Sequence, residues 1–150
     1  MYRLDEVKTG IEKGKKIYLV EGEKDADRLI RGGLVATTTT DTLRWDPDHT
    51  EILKAADVVI LFDYDKAGFR RRDLLCRELH GKVGRLRVID LQGLEYQESR
   101  GQDVSDWLAI GNTTAKLLEI VASTPDYRPN QKIIQEKKIC VVTLEDFLKM

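Results

Sequence analysis

In "VVILFDYDKAG", residues 58 to 68, an apolar run from Val58 to Phe62 ends in Asp63 and Asp65, one residue apart. Two other places repeat the theme. Glu21, Glu23 and Asp25 follow the apolar "IYLV" of residues 17–20, and Asp103 and Asp106 open "DVSDWLAIG". Carboxylates gathered in one crevice repel one another and raise one another's pKa unless a cation neutralises them. An oxygen-only donor set suits a hard cation. Mg²⁺ takes one or two carboxylates, keeps waters and adds phosphate oxygens, and two such ions can clamp a phosphoryl transfer. The neighbouring residues fit that chemistry. Gly22 and Gly68 let backbone approach a phosphate closely, and Lys66, Arg70 and Arg71 are placed to hold phosphates or a nucleic-acid backbone.

These acids can act together only if the elements before them converge. Ile17 to Val20 reads as a buried strand, and "EKDADRLIRGG" as a helix with Ala26, Leu29 and Ile30 on one face. "LVATTTT" (34–40) reads as a second strand, and residues 48–56 as a short helix with Ile52, Leu53 and Ala56 inward. Val58–Phe62, apolar on both faces, reads as a central parallel strand. Residues 69–80 read as a helix offering Phe69, Leu74, Leu75 and Leu79 to the core. "RLRVIDL" (85–91) alternates in polarity and reads as a strand nearer an edge. "DVSDWLAIG" and "TAKLLEIVAS" read as two helices broken at Gly111-Asn112.

Alternating strands and helices predict an α/β domain with a mainly parallel sheet of about four strands. In such a sheet the C-terminal strand ends share one edge, where ligands bind. Glu21 and Asp63 then meet there. If the chain stays extended past the strand, Asp63 and Asp65 face one site and Tyr64 points elsewhere. Each group also has a plain structural reading. Acids after strands cap helices, Asp103 alone reads as the N-cap of "VSDWLAIG", and Glu23 and Asp25 suit a first helical turn. Trp107 reads as a core anchor.

Composition narrows the class. The chain has 150 residues, 41% apolar and 34% charged, with net charge −1. No stretch approaches the ~20 apolar residues needed to span a bilayer, and "MYRLDEVKTG" lacks the apolar core of a signal peptide; the expectation is a cytoplasmic protein with no membrane partner. Cys76 and Cys140 form no CxxC, which argues against a structural zinc site or a disulfide framework. Two basic clusters, Lys13/Lys15/Lys16 and Arg70/Arg71/Arg72, stand out against the near-neutral total. Residues 1–14 read as a lead-in, 15–123 as the domain, and 124–150 as a linker and the start of a following element, with Thr143 as a cap.

"LVEGEKDADRL", "VILFDYDKAG" and "GQDVSDWL", in this order, resemble the TOPRIM domain family, most closely the primases and primase-helicases of bacteria, phages and plasmids. The likeness runs over about residues 15–122 by motif placement. It implies a compact Rossmann-like TOPRIM fold, Mg²⁺ dependence with Mn²⁺ as a substitute, and nucleotidyl transfer in DNA replication. By motif, Glu21 takes the family's acid-base or metal-side role. Asp63 and Asp65 take the metal-binding pair, and Asp103 the further acid. Gly22, Glu23, Asp25, Gly68 and Asp106 fall at supporting positions, and Lys66 at a variable one. The implied partners are a single-stranded DNA template, nucleoside triphosphates and a replicative helicase. A metal-dependent nuclease or topoisomerase fragment and a non-catalytic nucleic-acid-binding module are the alternatives. A DxDxT phosphatase fits poorly, because its threonine position is Ala67. The "TTTTDTLRWDP" loop departs from related primases, and "ICVVTLEDFLKM" resembles the lead into a helicase domain.

Overall fold

The computed structural model describes residues 1–39 and 44–129. Ten elements follow in chain order: α1 (Leu4–Glu12), β1 (Lys16–Leu19), α2 (Glu23–Arg31), β2 (Val35–Thr37), α3 (Pro47–Ile52), β3 (Asp57–Leu61), α4 (Lys66–Leu79), β4 (Arg85–Ile89), α5 (Val104–Ala109) and α6 (Thr114–Ser123). The four strands form one all-parallel sheet in the order β2-β1-β3-β4. This is the expected α/β architecture, with helices covering the sheet. β3 lies inside the sheet and β4 at its edge, as apolar and alternating patterns respectively require. The tail from residue 130, with its expected strand, helix and Thr143 cap, lies outside the described residues.

Each strand is short, so the sheet is held chiefly by what covers it. Ile17, Leu19, Val58, Val59 and Ile60 are all fully buried. Register aligns Leu19 with Ile60 across β1 and β3, so these two strands end side by side. Sequence order reverses between them: β1 runs out to β2 on one side, β3 to β4 on the other. That is the switch point where a crevice opens beyond the strand ends.

β2 is shorter than the expected 34–40, the ladder ending at Thr37, and three helices differ from expectation. Residues 1–14 contain a helix, α1, packed on the sheet through buried Val7 and through Gly10, which lies against Val35 and Ile17. Its apolar spacing, Leu4, Val7 and Ile11, is helical, but it begins without a side-chain cap at Arg3, which adopts a left-handed φ of 49°. α3 is shorter than 48–56, because Leu53 and Ala56 are buried from the turn that follows it. α4 begins at Lys66 rather than Phe69, because Asp65 caps it. Its buried face is also rotated: Leu75 and Leu79 are inside, but so are Arg71, Arg72 and Cys76, while Phe69 and Leu74 are only half-buried. The guanidinium of Arg72 sits over the rings of Phe69 and Phe62, 4.4 and 5.1 Å from their centroids, a contact that favours a buried cation.

Candidate metal centre

β1 and β3 release the chain at the same edge, and α2 and α5 begin there. Three carboxylates converge as a result: Asp25 from the first turn of α2, Asp63 just past β3, and Asp103 at the N-cap of α5. One oxygen from each lies within 4.8 Å of the others. Glu21, just past β1, joins them by hydrogen bonding to the Asp63 carboxyl.

The electrostatics match the crowding. Burial holds the Asp63 carboxyl well above the usual carboxylate range; the hydrogen bond and charge of Glu21, then the charges of Asp25 and Asp103, push it further. Asp25 is raised in the same direction by burial and by Asp103, with the Ser105 hydroxyl opposing. Such groups favour their neutral forms unless a cation joins them. The donor set is entirely carboxylate oxygen, which fits a hard divalent ion and not zinc in a thiolate or imidazole site.

Each carboxylate is held by its own local structure. Ser105 Oγ, nearly buried on α5, donates to Asp25 Oδ1 at 2.6 Å. Asp103 Oδ1 accepts the backbone N–H of Asp106 at 3.0 Å, and Asp106 Oδ2 accepts that of Asp103 at 3.0 Å. This reciprocal capping box fixes the start of α5. Asp103 is thus both a helix cap and a member of the cluster, so its two readings are compatible. The Thr38 hydroxyl donates to the Glu21 carbonyl at 2.8 Å, tying the end of β2 to the turn after β1.

Asp65 is differently placed. The ladder ends at Leu61, and the chain bends at Tyr64 and Asp65 instead of continuing extended. Asp65 Oδ1 accepts the Gly68 N–H at 2.6 Å, and Oδ2 accepts the Gly101 N–H at 2.8 Å. Each oxygen thus accepts one backbone donor, and the third carboxylate grouped with Asp63 and Asp103 is Asp25. Tyr64 does point elsewhere. Its hydroxyl donates to Asp90 and accepts the Leu91 N–H, and its backbone bonds Gln102 and Gln97.

The glycines explain how these segments come so close. A β-carbon on Gly68 would collide with the Asp63 carbonyl, and one on Gly101 with the Tyr64 carbonyl. Gly68 therefore serves backbone packing, where a phosphate approach was expected. Gly22 has open space around its Cα and precedes α2. Among the basic residues, Lys66 and Arg70 are exposed. Arg71 is buried and donates to the Val20 carbonyl and to Thr39 Oγ1 at 3.4 and 3.3 Å. It braces α4 against β1 and the end of β2. Glu23 and Asp106 are exposed at the rim.

Sequence reasoning missed Gly101 and Ser105. Only pairing across the fold reveals them: Gly101 acts on Asp65 and Ser105 on Asp25, partners far away in the chain. Beside the acids lies a cavity of about 550 Å³, lined by Glu21, Gly22, Thr38, Thr39 and, from the N-terminus, Tyr2 and Arg3.

No protein-family model matches the chain, and no curated protein matches it. Among solved structures, the fold is similar to the crystal structure of the Aquifex aeolicus primase, comprising its zinc-binding and RNA polymerase domains. The TM-score is 0.60 at 21% identity, over 81% of this chain. The chain spans 28% of the length of that structure. The sheet and its flanking helices thus have the fold found in a bacterial primase.

Proposed function

We propose that this chain is a Mg²⁺-dependent nucleotidyl-transfer domain of the TOPRIM type from a primase or primase-helicase. The observation that carries the reading is the convergence of Asp25, Asp63 and Asp103, with Glu21, at the open edge of a parallel sheet. The fold shared with the Aquifex aeolicus primase supports it. The reaction class is attack of a primer 3′-hydroxyl on the α-phosphate of a nucleoside triphosphate, with pyrophosphate leaving. A bound Mg²⁺ or Mn²⁺ would supply charge neutralisation for phosphate oxygens.

The residues divide the work. Asp63, Asp25 and Asp103 hold the cation. Glu21, bonded to Asp63, is placed to hold or pass a proton at its carboxylate. Asp65 shapes the turn that presents Asp63, and Ser105 and Asp106 orient Asp25 and Asp103. Lys66 and Arg70, exposed at the start of α4, are the side chains available to a nucleic-acid backbone. The partners of this reading are a single-stranded DNA template, nucleoside triphosphates and a replicative helicase.

Thermal unfolding with and without the cation tests the site. Saturating Mg²⁺ or Mn²⁺ raises Tm by roughly 5 °C in the wild type and leaves Asp63→Asn unmoved. No shift with either ion rejects the metal centre. Ribonucleotide joining on a single-stranded template, against Mn²⁺-dependent cutting of supercoiled DNA, then separates primase from nuclease chemistry.

A further inference from the structure

The loop between β4 and α5 carries Tyr96. Among the described residues it is the one Tyr, Phe or Trp that is exposed. The loop holds it firmly. The Tyr64 N–H donates to the Gln102 carbonyl at 2.8 Å, the Gln97 N–H to the Tyr64 carbonyl at 3.0 Å, and the Glu95 N–H to Gln102 Oε1 at 2.9 Å. Arg100 takes a left-handed φ of 52° beside Gly101, whose N–H is bound by Asp65. Tyr64 follows Asp63 directly, so these bonds fix Tyr96 near the turn that presents the acids. A ring on a fixed loop loses little freedom when something binds it.

The surroundings say what the ring can bind. Its centroid lies 5.1 Å from that of Phe69 on α4, the planes tilted by 43°. Phe69 packs in turn on Phe62 and Tyr64. Tyr96 is thus backed by aromatic rings rooted in the core, while 37% of the residue stays open. The charges sort by element. Lys66 and Arg70 are exposed on α4. Lys66 precedes Phe69 by three positions and Arg70 by four, so all three occupy adjoining helix surface. Asp73, the acid one turn on from Phe69, is engaged by Arg72 at 3.0 Å. The loop sets Glu95 and Glu98 against Arg100. Desolvation, then the charges of Glu98 and Asp65, raises the Tyr96 phenol, so the ring stays neutral. A phosphate is therefore favoured over α4 and disfavoured over the loop. A flat neutral group on the ring, with negative charge held to one side of it, is what a base and its backbone phosphate present.

We propose that Tyr96 is a stacking platform for a base of single-stranded nucleic acid, with the adjoining phosphates over Lys66 and Arg70. The inference rests on the reading of the chain as a template-binding domain, but not on its metal. Every base has a π-face, so such a platform holds a strand with little regard for sequence. Tyr96 lies outside the three acidic stretches.

The test is fluorescence anisotropy of a labelled oligothymidylate with the full chain, in EDTA at low salt, against a base-free sugar-phosphate strand of the same length. The wild type binds the strand with bases at least about fivefold more tightly than the base-free one. Tyr96→Leu, which keeps an apolar contact with Phe69, loses that preference while holding the base-free strand as the wild type does. Tyr96→Phe retains the preference. Lys66→Ala with Arg70→Ala weakens both strands alike. Asp63→Asn keeps the base preference, so failure of the metal centre leaves this outcome intact, and the thermal response to Mg²⁺ reads that centre separately. The proposal is overturned by a wild type that binds neither strand or both equally, by Tyr96→Leu keeping the preference or losing both strands together, by undiminished binding in the double variant, or by free thymidine monophosphate displacing the strand at equal concentration (a nucleotide pocket).

Discussion

Asp65 is the residue whose structure departs most from its motif. It sits one residue from Asp63, yet its two oxygens bind two backbone amides from segments far apart in the chain, Gly68 and Gly101. Hydrogen bonds to a charged acceptor are the strong kind, and removing the acceptor leaves two N–H groups near the core without it. Asp65→Ala therefore destabilises the fold by about 2 kcal/mol or more, measured by urea denaturation at pH 7. Asp65→Asn, which keeps one carbonyl acceptor, loses less. Equal stability of Asp65→Ala and wild type would refute the capping role and return Asp65 to the metal as its main business.

At the scale of elements, the site depends on how closely α4 and the loop before α5 approach the turn after β3. Gly68 is the contact for α4. In an exposed helix, glycine to alanine gains up to about 1 kcal/mol from propensity. Here the added β-carbon would meet the Asp63 carbonyl oxygen, and rigid backbone cannot yield as a flexible side chain would. Gly68→Ala is expected to lose about 1–3 kcal/mol and to weaken the thermal response to Mg²⁺, because Asp63 moves with its own carbonyl. A gain in Tm with an unchanged Mg²⁺ response would show that α4 can shift freely. α1 contributes at the same scale from the other side. Tyr2 accepts the Thr37 hydroxyl at its carbonyl and donates its N–H to the Thr38 carbonyl, which anchors the start of the chain on the wall of the cavity beside Glu21.

Over the whole molecule, the acid cluster sets how stability changes with pH. Asp25 and Asp63 have folded pKa values raised above the ordinary carboxylate value of 3.8. For such groups the folded state binds more protons than the unfolded one. Their contribution to stability is full below 3.8 and is lost as pH rises through the raised folded values. The chelator-treated protein is accordingly more stable at pH 5 than at pH 8, by of order 1–3 kcal/mol. Mg²⁺ narrows that difference by favouring the charged forms, and Asp63→Asn flattens the metal-free profile. Urea denaturation at the two pH values, with and without Mg²⁺, reads all of this. A metal-free protein that gains stability toward pH 8 would contradict the crowding of the acids.

The sequence by itself determined the alternation of strand and helix, the buried character of β3 and the sheet edge where the acids gather. Each follows from local pattern: five consecutive apolar residues suit an interior strand, and parallel order sends Glu21 and Asp63 to the same end. It also marked Asp103, whose cap position and place in the cluster are one geometry. Tertiary structure decided which carboxylates share the site. Asp25 stands with Asp63 and Asp103 because α2 and α5 meet, bringing Ser105 to it, and Asp65 turns to Gly101 because the loop before α5 folds back over Tyr64. It likewise buried Arg71 and Arg72, which composition alone reads as surface. Periodicity reports which face of an element is covered; it carries no record of which distant segment does the covering.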